Sequence, residues 1–122
     1  MTLAEIIKLL DGEVIFGNGQ LDTEVNSGAA ADLMSDVLYH TQPGAILLTG
    51  LINPQVVRTA EMAEIIAICF VRGKKPDAET IRLAKEKHIP LLATGLPMYE
   101  ACGRLYEQGL PGHFYQGSTR NK

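Results

Sequence analysis

Apolar residues recur at helical spacing near the start of the chain, at Leu3, Ile6, Ile7 and Leu10. Thr2 and Glu5 have the spacing of a capping box, which marks the start of a helix. The pattern therefore predicts a helix over residues 3–10, ended by Asp11-Gly12. Two short segments beyond it are strand candidates, the apolar residues 14–16 and residues 24–26 (EVN).

A second helix is predicted over residues 33–38, with Asp32 as its N-cap. The rest of the chain then repeats one unit three times: an apolar strand, a short loop and a helix. The predicted strands are 45–49, 65–71 and 91–93, and the helices after them begin near Pro54, Asp77 and Pro97. Continuous apolar strands separated by helices are typical of a parallel sheet covered on both faces. We therefore expect a small three-layer α/β domain with a mainly parallel sheet of four to five strands flanked by helices.

Composition narrows the class of protein. The 122 residues carry 11 Lys and Arg against 14 Asp and Glu, a net charge of −3, and contain no basic run, which argues against a nucleic-acid partner. The longest apolar stretch, residues 65–71, is too short to cross a membrane, and the first residues lack the features of a signal peptide, so we expect a cytoplasmic protein. Cys69 and Cys102 do not form a C-x-x-C pair, and no metal site or cofactor is expected.

Small and polar residues stand where the predicted strands meet their loops, at Ser27-Gly28, Thr49-Gly50, Arg72-Gly73 and Thr94-Gly95. Ligands of open parallel sheets bind beyond the carboxyl ends of the strands. Glycine lets a ligand approach the backbone, threonine offers a hydroxyl, and Arg72 can pair with a phosphate or carboxylate. With Asn53 added, these residues predict a site for a small anionic ligand, including a nucleotide. The alternative is that they serve only the turns between strand and helix.

Three segments resemble those of a DRTGG domain: residues 27–38 (SGAAADLMSDVL), residues 43–49 (PGAILLT), and Pro76 with residues 81–94 (IRLAKEKHIPLLAT). The resemblance covers residues 1–110 and implies the fold of the N-terminal domain of HPr kinase/phosphorylase. It also implies a regulatory role, because such domains occur alone or as regulatory insertions, for example beside CBS domains in some inorganic pyrophosphatases. At the place of the family's Thr-Gly-Gly this chain has Val71, Arg72 and Gly73, which retains the second glycine. Residues 111–122 are predicted to form a polar, mobile tail.

We expect a non-catalytic regulatory or ligand-sensing domain, without catalytic residues, that forms a homodimer. The resemblance further implies a protein partner in a redox system, because similar stand-alone members accompany iron–sulfur and hydrogenase-type proteins. Two alternatives stay open. One is a small phosphoryl- or acyl-transfer enzyme using Arg72, Thr49 and Thr94, and the other is a structural subunit of a redox complex.

Overall fold

The computed structural model of the protein describes residues 1–112. Its helices are α1 (Leu3–Leu10), α2 (Met34–His40), α3 (Pro54–Met62), α4 (Ala78–Lys87) and α5 (Met98–Glu107). Its strands are β1 (Glu13–Phe16), β2 (Ser27–Ala30), β3 (Ala45–Thr49), β4 (Ala67–Phe70) and β5 (Leu91–Ala93). Most of the predicted tail, from residue 113 onward, lies outside the described residues.

One five-stranded sheet has the strand order β1-β5-β4-β3-β2. Strands β2 to β5 run parallel to one another, and β1 pairs antiparallel with β5 at one edge. The α/β fold and the mainly parallel sheet predicted from the sequence are confirmed. In the described part of the chain, no helix combines the length and the apolar character needed to cross a membrane.

A hydrophobic core lies on each face of the sheet, because neighbouring residues of β3 point in opposite directions. Leu48 belongs to the core beneath α1 and α5, together with Leu3 and Leu105. Leu47 belongs to the core beneath α2, α3 and α4, together with Val56. Apart from Thr49 at the end of β3, the central strands therefore have apolar residues at every position, which is the origin of their apolar pattern.

Two sequence predictions near β2 are wrong. Residues 24–26 do not form a strand, and the chain pairs with β3 slightly later, at Ser27–Ala30. The small residues of β2 have low strand propensity, so tertiary pairing rather than local sequence decides its position. Asp32 does not cap α2 either, because the N-cap is Leu33, which makes no side-chain capping bond.

Candidate anion-binding site

Three of the four predicted residue pairs lie at the carboxyl edge of the sheet. The register sets Thr49 of β3 beside Phe70 of β4, and Phe70 beside Ala93 of β5, so these strands end side by side. The loops that follow carry Thr49-Gly50, Arg72-Gly73 and Thr94-Gly95. Exposed Asn53 lies on the same edge, as the N-cap of α3 without a side-chain capping bond.

The fourth pair lies at the opposite edge, contrary to our expectation. Ser27 begins β2 and pairs with Ala45, the first residue of β3, and Gly28 pairs with Ile46. Both residues therefore belong to the amino edge of the sheet, far along the strands from Thr49. The displacement follows directly from the late start of β2.

Asp32 takes a place at the carboxyl edge that the sequence analysis did not assign to it. Its Oδ1 atom accepts a hydrogen bond of 2.8 Å from the Gly50 N–H and one of 3.0 Å from the Thr49 hydroxyl. β2 ends at Ala30 beside β3, so the chain delivers Asp32 to the end of β3. The signal for this, an acidic residue two positions beyond a parallel strand, depends on placing β2 at Ser27–Ala30, which the local sequence does not do.

The side chain of Arg72 lies against the same glycine. A Cβ atom added to Gly50 would overlap the Arg72 guanidinium and would also contact Asp32 Oδ1. Glycine permits this close approach, and a side chain at position 50 would push the end of the flexible Arg72 side chain away. The absent side chain at position 50 is therefore the reason that a guanidinium, a carboxylate and a backbone N–H share one small region.

The backbone of Arg72 holds a conformation that side chains rarely adopt, with φ +59°. Two hydrogen bonds to the neighbouring loop fix it, from the Arg72 N–H to the Leu96 carbonyl (2.8 Å) and from the Gly73 N–H to the Thr94 carbonyl (3.0 Å). Both N–H groups are thereby occupied. The exposed guanidinium of Arg72, and not its N–H, is therefore the group open to an external partner.

The charges of this cluster act on one another. The Gly50 N–H hydrogen bond is the largest cause that lowers the pKa of Asp32 below its ordinary value, with further lowering by the Thr49 hydroxyl, Arg72 and Lys74 and an opposing effect of partial burial. Asp32 therefore stays ionised and offsets part of the positive charge. The neighbouring Lys75 pairs with Glu13 instead. We call Asp32, Thr49, Gly50, Arg72 and Lys74 the Asp32 cluster.

Thr94 and Gly95 have a different environment although their local sequence repeats that of Thr49 and Gly50. The Thr94 hydroxyl donates to the Leu10 carbonyl at the end of α1 (2.7 Å), and nothing lies within 4 Å of a Cβ added to Gly95. A cavity of about 250 Å³ borders both residues and also touches Glu13 and Lys75. The Thr94 side chain thus fastens β5 to α1, and this loop supports the Asp32 cluster through the backbone carbonyls of Thr94 and Leu96, which hold Gly73 and Arg72.

An apolar groove of about 380 Å³ lies at the edge of the sheet between β2 and α5. Ala30 and Leu48 line it from the sheet, and Cys102, Tyr99 and Tyr106 line it from the helix. The two tyrosines are 90% and 69% exposed, and burial raises the pKa of the Cys102 thiol. This β2–α5 groove is a surface that the sequence analysis did not identify.

Metal-binding groups do not gather within residues 1–112, where no three His, Cys, Asp or Glu side chains lie close enough to hold an ion. His113 lies outside the described residues. Cys69 is buried in the core as expected, and burial raises the pKa of its thiol to about 12. The thiol of Cys69 therefore stays protonated at neutral pH and is a poor nucleophile or ligand.

Fold and site together define a small three-layer α/β domain whose parallel strands end in a cluster of charged and small residues. The model of the DRTGG domain family matches residues 5–107, and the chain belongs to this family. None of the curated protein sequences compared with the chain matches it.

A solved structure with the same fold is the crystal structure of the CBS and DRTGG domains of the regulatory region of Clostridium perfringens pyrophosphatase, complexed with its activator, diadenosine tetraphosphate. The two chains superpose with a TM-score of 0.62 at 21% sequence identity. The match covers 90% of the present chain and 47% of the other, so the present chain spans about half of that regulatory region.

Proposed function

We propose that this chain is a non-catalytic regulatory domain that binds a small anionic ligand, a nucleotide phosphate by preference, at the carboxyl edge of its sheet. One observation carries the proposal: the exposed guanidinium of Arg72 lies against Gly50 at the end of a parallel strand, within electrostatic reach of Asp32 and near Lys74. Guanidinium and ammonium groups at such an edge are what phosphate oxygens require. Family membership and a relative with a nucleotide activator support the same chemistry.

The threonines at this edge argue for binding rather than catalysis. Thr49 is fully buried, and the lowered pKa of Asp32 makes that carboxylate a weak base for the Thr49 hydroxyl. The Thr94 hydroxyl donates its hydrogen bond to the Leu10 carbonyl at the other strand end. The phosphoryl- or acyl-transfer alternative needs a nucleophile beside an effective base, and neither threonine meets that requirement.

The experiment is a ligand screen by thermal unfolding with ATP, AMP, diadenosine tetraphosphate and inorganic phosphate. A ligand that binds the native state raises the unfolding temperature with its concentration. We expect stabilisation by at least one nucleotide and its loss in Arg72→Gln. The matched control is Arg82→Gln, which removes the same charge from α4, where Arg82 pairs with Glu79 and Glu86. Equal stabilisation of both variants would contradict the site, and no stabilisation by any of these anions would contradict the function.

We further propose a homodimer that forms through the β2–α5 groove. β2 is an edge strand whose outer side is bonded at Gly28 to the chain at Pro111 and Gly112, and the rest of such an edge pairs readily with a second copy of itself. Tyr106 borders this groove and is largely exposed. We expect light scattering to give a dimer mass at micromolar concentration and a monomer for Tyr106→Glu. Met62→Glu is the control, because Met62 is a similarly exposed apolar residue on α3. A wild-type monomer would contradict the proposal.

The regulated system in our proposal is a redox one, as the resemblance to stand-alone members implies. The expected outcome is co-purification with an iron–sulfur or hydrogenase-type protein from cells that express both. Tyr106→Glu and Arg72→Gln would then report whether the groove or the strand edge makes the contact. Recovery of the domain without any redox protein from such cells would contradict this part of the proposal.

A further inference from the structure

The donors at the end of β3 already bind an anion, and it is a side chain of the same protein. The Gly50 N–H and the Thr49 hydroxyl converge on one oxygen of Asp32, and the Arg72 guanidinium lies against Gly50. This is the arrangement in which a phosphate oxygen would be held. The carboxylate of Asp32 therefore occupies the position that an incoming oxyanion needs.

An oxyanion can replace Asp32 as the acceptor of the hydrogen bonds from Thr49 and Gly50. Asp32 is exposed and is solvated as soon as it leaves, whereas the Thr49 hydroxyl is buried and needs an acceptor. An oxyanion supplies that acceptor and brings more negative charge to Arg72 and Lys74 than one carboxylate does. Replacement of Asp32 by a phosphate oxygen leaves every donor of the cluster satisfied.

Asp32 also joins two elements of the fold. It lies in the connection between β2, which ends at Ala30, and α2, which begins at Met34. α2 has no side-chain N-cap bond, and its N-cap residue, Leu33, is 60% exposed. The hydrogen bonds of Asp32 thus fasten the start of α2 to the end of β3.

The exposed surface of α2 next to Asp32 is apolar. Leu33, Leu38 and Tyr39 are all exposed, while Met34 and Val37 hold α2 to the core. Leu33 follows Asp32 directly, and Leu38 and Tyr39 lie further along α2. The start of α2 is therefore the element that a ligand at the cluster moves most directly.

From this geometry we propose that Asp32 is an internal competitor of the anionic ligand, and that the ligand displaces its carboxylate from Thr49 and Gly50 and releases the start of α2. The inference rests on the proposed function, since it specifies how binding at the same cluster is regulated. It assigns Asp32 a role that a helix cap or a surface carboxylate would not have.

The test compares ATP and inorganic phosphate binding by calorimetry in the wild type, Asp32→Asn, Asp32→Ala and the control Asp36→Asn. Asp36 is an exposed residue of α2 that carries the same charge four positions further along. Removal of the competitor predicts affinity tightened about tenfold in both Asp32 variants, equivalent to about 1.4 kcal/mol. Asp36→Asn should change affinity less than twofold. Unchanged or weaker binding in the Asp32 variants would overturn the inference while leaving the proposed function intact.

Hydrogen exchange on the wild-type protein tests the release of α2 without any substitution. Saturating ATP should speed exchange of the amides of residues 33–37, and Asp32→Ala should show the faster rate already without ATP. Binding of ATP with unchanged or slower exchange in this segment would overturn the release. If no variant binds either anion, the inference and the proposed function fail together.

Discussion

Two strand ends of this domain have nearly the same local sequence and different surroundings. Residues 48–51 (LTGL) and 93–96 (ATGL) follow parallel strands, and in each the threonine hydroxyl accepts a hydrogen bond of 3.1 Å from the N–H two residues later. The group that accepts a hydrogen bond from the threonine hydroxyl differs. The Thr49 hydroxyl donates to the carboxylate of Asp32, and the Thr94 hydroxyl donates to the backbone carbonyl of Leu10. The same turn thus forms part of a charged cluster at β3 and of a helix attachment at β5.

The turn sequence alone is therefore not enough to form a charged cluster at a strand end. At β3 the glycine after the threonine is crowded by Arg72, whereas at β5 the corresponding Gly95 has open space around it. Charged residues lie at the end of β3 because the chain that follows β2 places Asp32 there and the chain that follows β4 places Arg72 there. β5 borders β1 on its other side, where Glu13 pairs with Lys75 and the Leu10 carbonyl at the end of α1 accepts the Thr94 hydroxyl.

The largest expected effect is on stability, and it falls on the β5 end. Thr94→Val removes a buried hydroxyl and leaves the Leu10 carbonyl and the Leu96 N–H without their partner, which should lower the free energy of unfolding by about 2–3 kcal/mol. Thr49→Val also leaves the Leu51 N–H without its partner, but it should cost about 1 kcal/mol less than Thr94→Val, because water can solvate the released Asp32 whereas the Thr94–Leu10 bond is buried. Urea unfolding of the two variants measures both losses of stability. Equal losses would contradict the difference between the two strand ends.

The second effect is on binding, and it falls on the β3 end. Gly50→Ala should weaken ATP binding about tenfold, or about 1.4 kcal/mol, because the new methyl group pushes the Arg72 guanidinium aside. Gly95→Ala is the matched control and should leave both affinity and stability unchanged. Calorimetric titration of both variants measures the difference. A loss of affinity in Gly95→Ala would show that the β5 end also binds the ligand.

A smaller effect distinguishes the influence of the Arg72 backbone on stability from the influence of the Arg72 side chain on ATP binding. Arg72→Gly relieves a left-handed residue and should raise the free energy of unfolding by about 0.5–1 kcal/mol while abolishing ATP binding. His88→Gly, at the left-handed C-cap of α4, should give a similar gain in stability with ATP binding unchanged. Chemical denaturation and titration of the pair test this. An Arg72→Gly variant that still binds ATP would remove Arg72 from the site.

The smallest effect is the pH dependence of the Asp32 bond. Because the pKa of Asp32 is lowered in the folded protein, its stabilisation is present above the unfolded value of about 3.9 and is lost as pH falls through the folded value. The stability difference between wild type and Asp32→Ala should therefore be constant from about pH 8 to pH 5 and shrink below about pH 4. Urea unfolding at each pH gives the difference, with Asp36→Ala as control. A difference that grows in acid would contradict the assigned contacts.

Local patterns in the sequence predicted the strands and helices of the second half of the chain, because continuous apolar runs and proline or aspartate helix starts are local signals. β2 was misplaced because its Ser-Gly-Ala-Ala sequence carries no such signal and its position depends on pairing with β3. The same error moved Ser27 and Gly28 to the wrong edge and made Asp32 a helix cap. The Asp32 cluster joins three separate loops, and no local pattern reports such an association.

The most direct test of the central claim is a nitrogen-15 amide spectrum of the protein titrated with ATP. We expect large chemical-shift changes for the amides of residues 32–33, 50–51 and 72–74 at the β3 end, with smaller changes through α2. We expect no change for the Gly95 amide, because Gly95 lies outside the Asp32 cluster. Shifts confined to the β2–α5 groove or centred on Gly95, or saturable ATP binding that leaves Gly50 unmoved, would contradict the account.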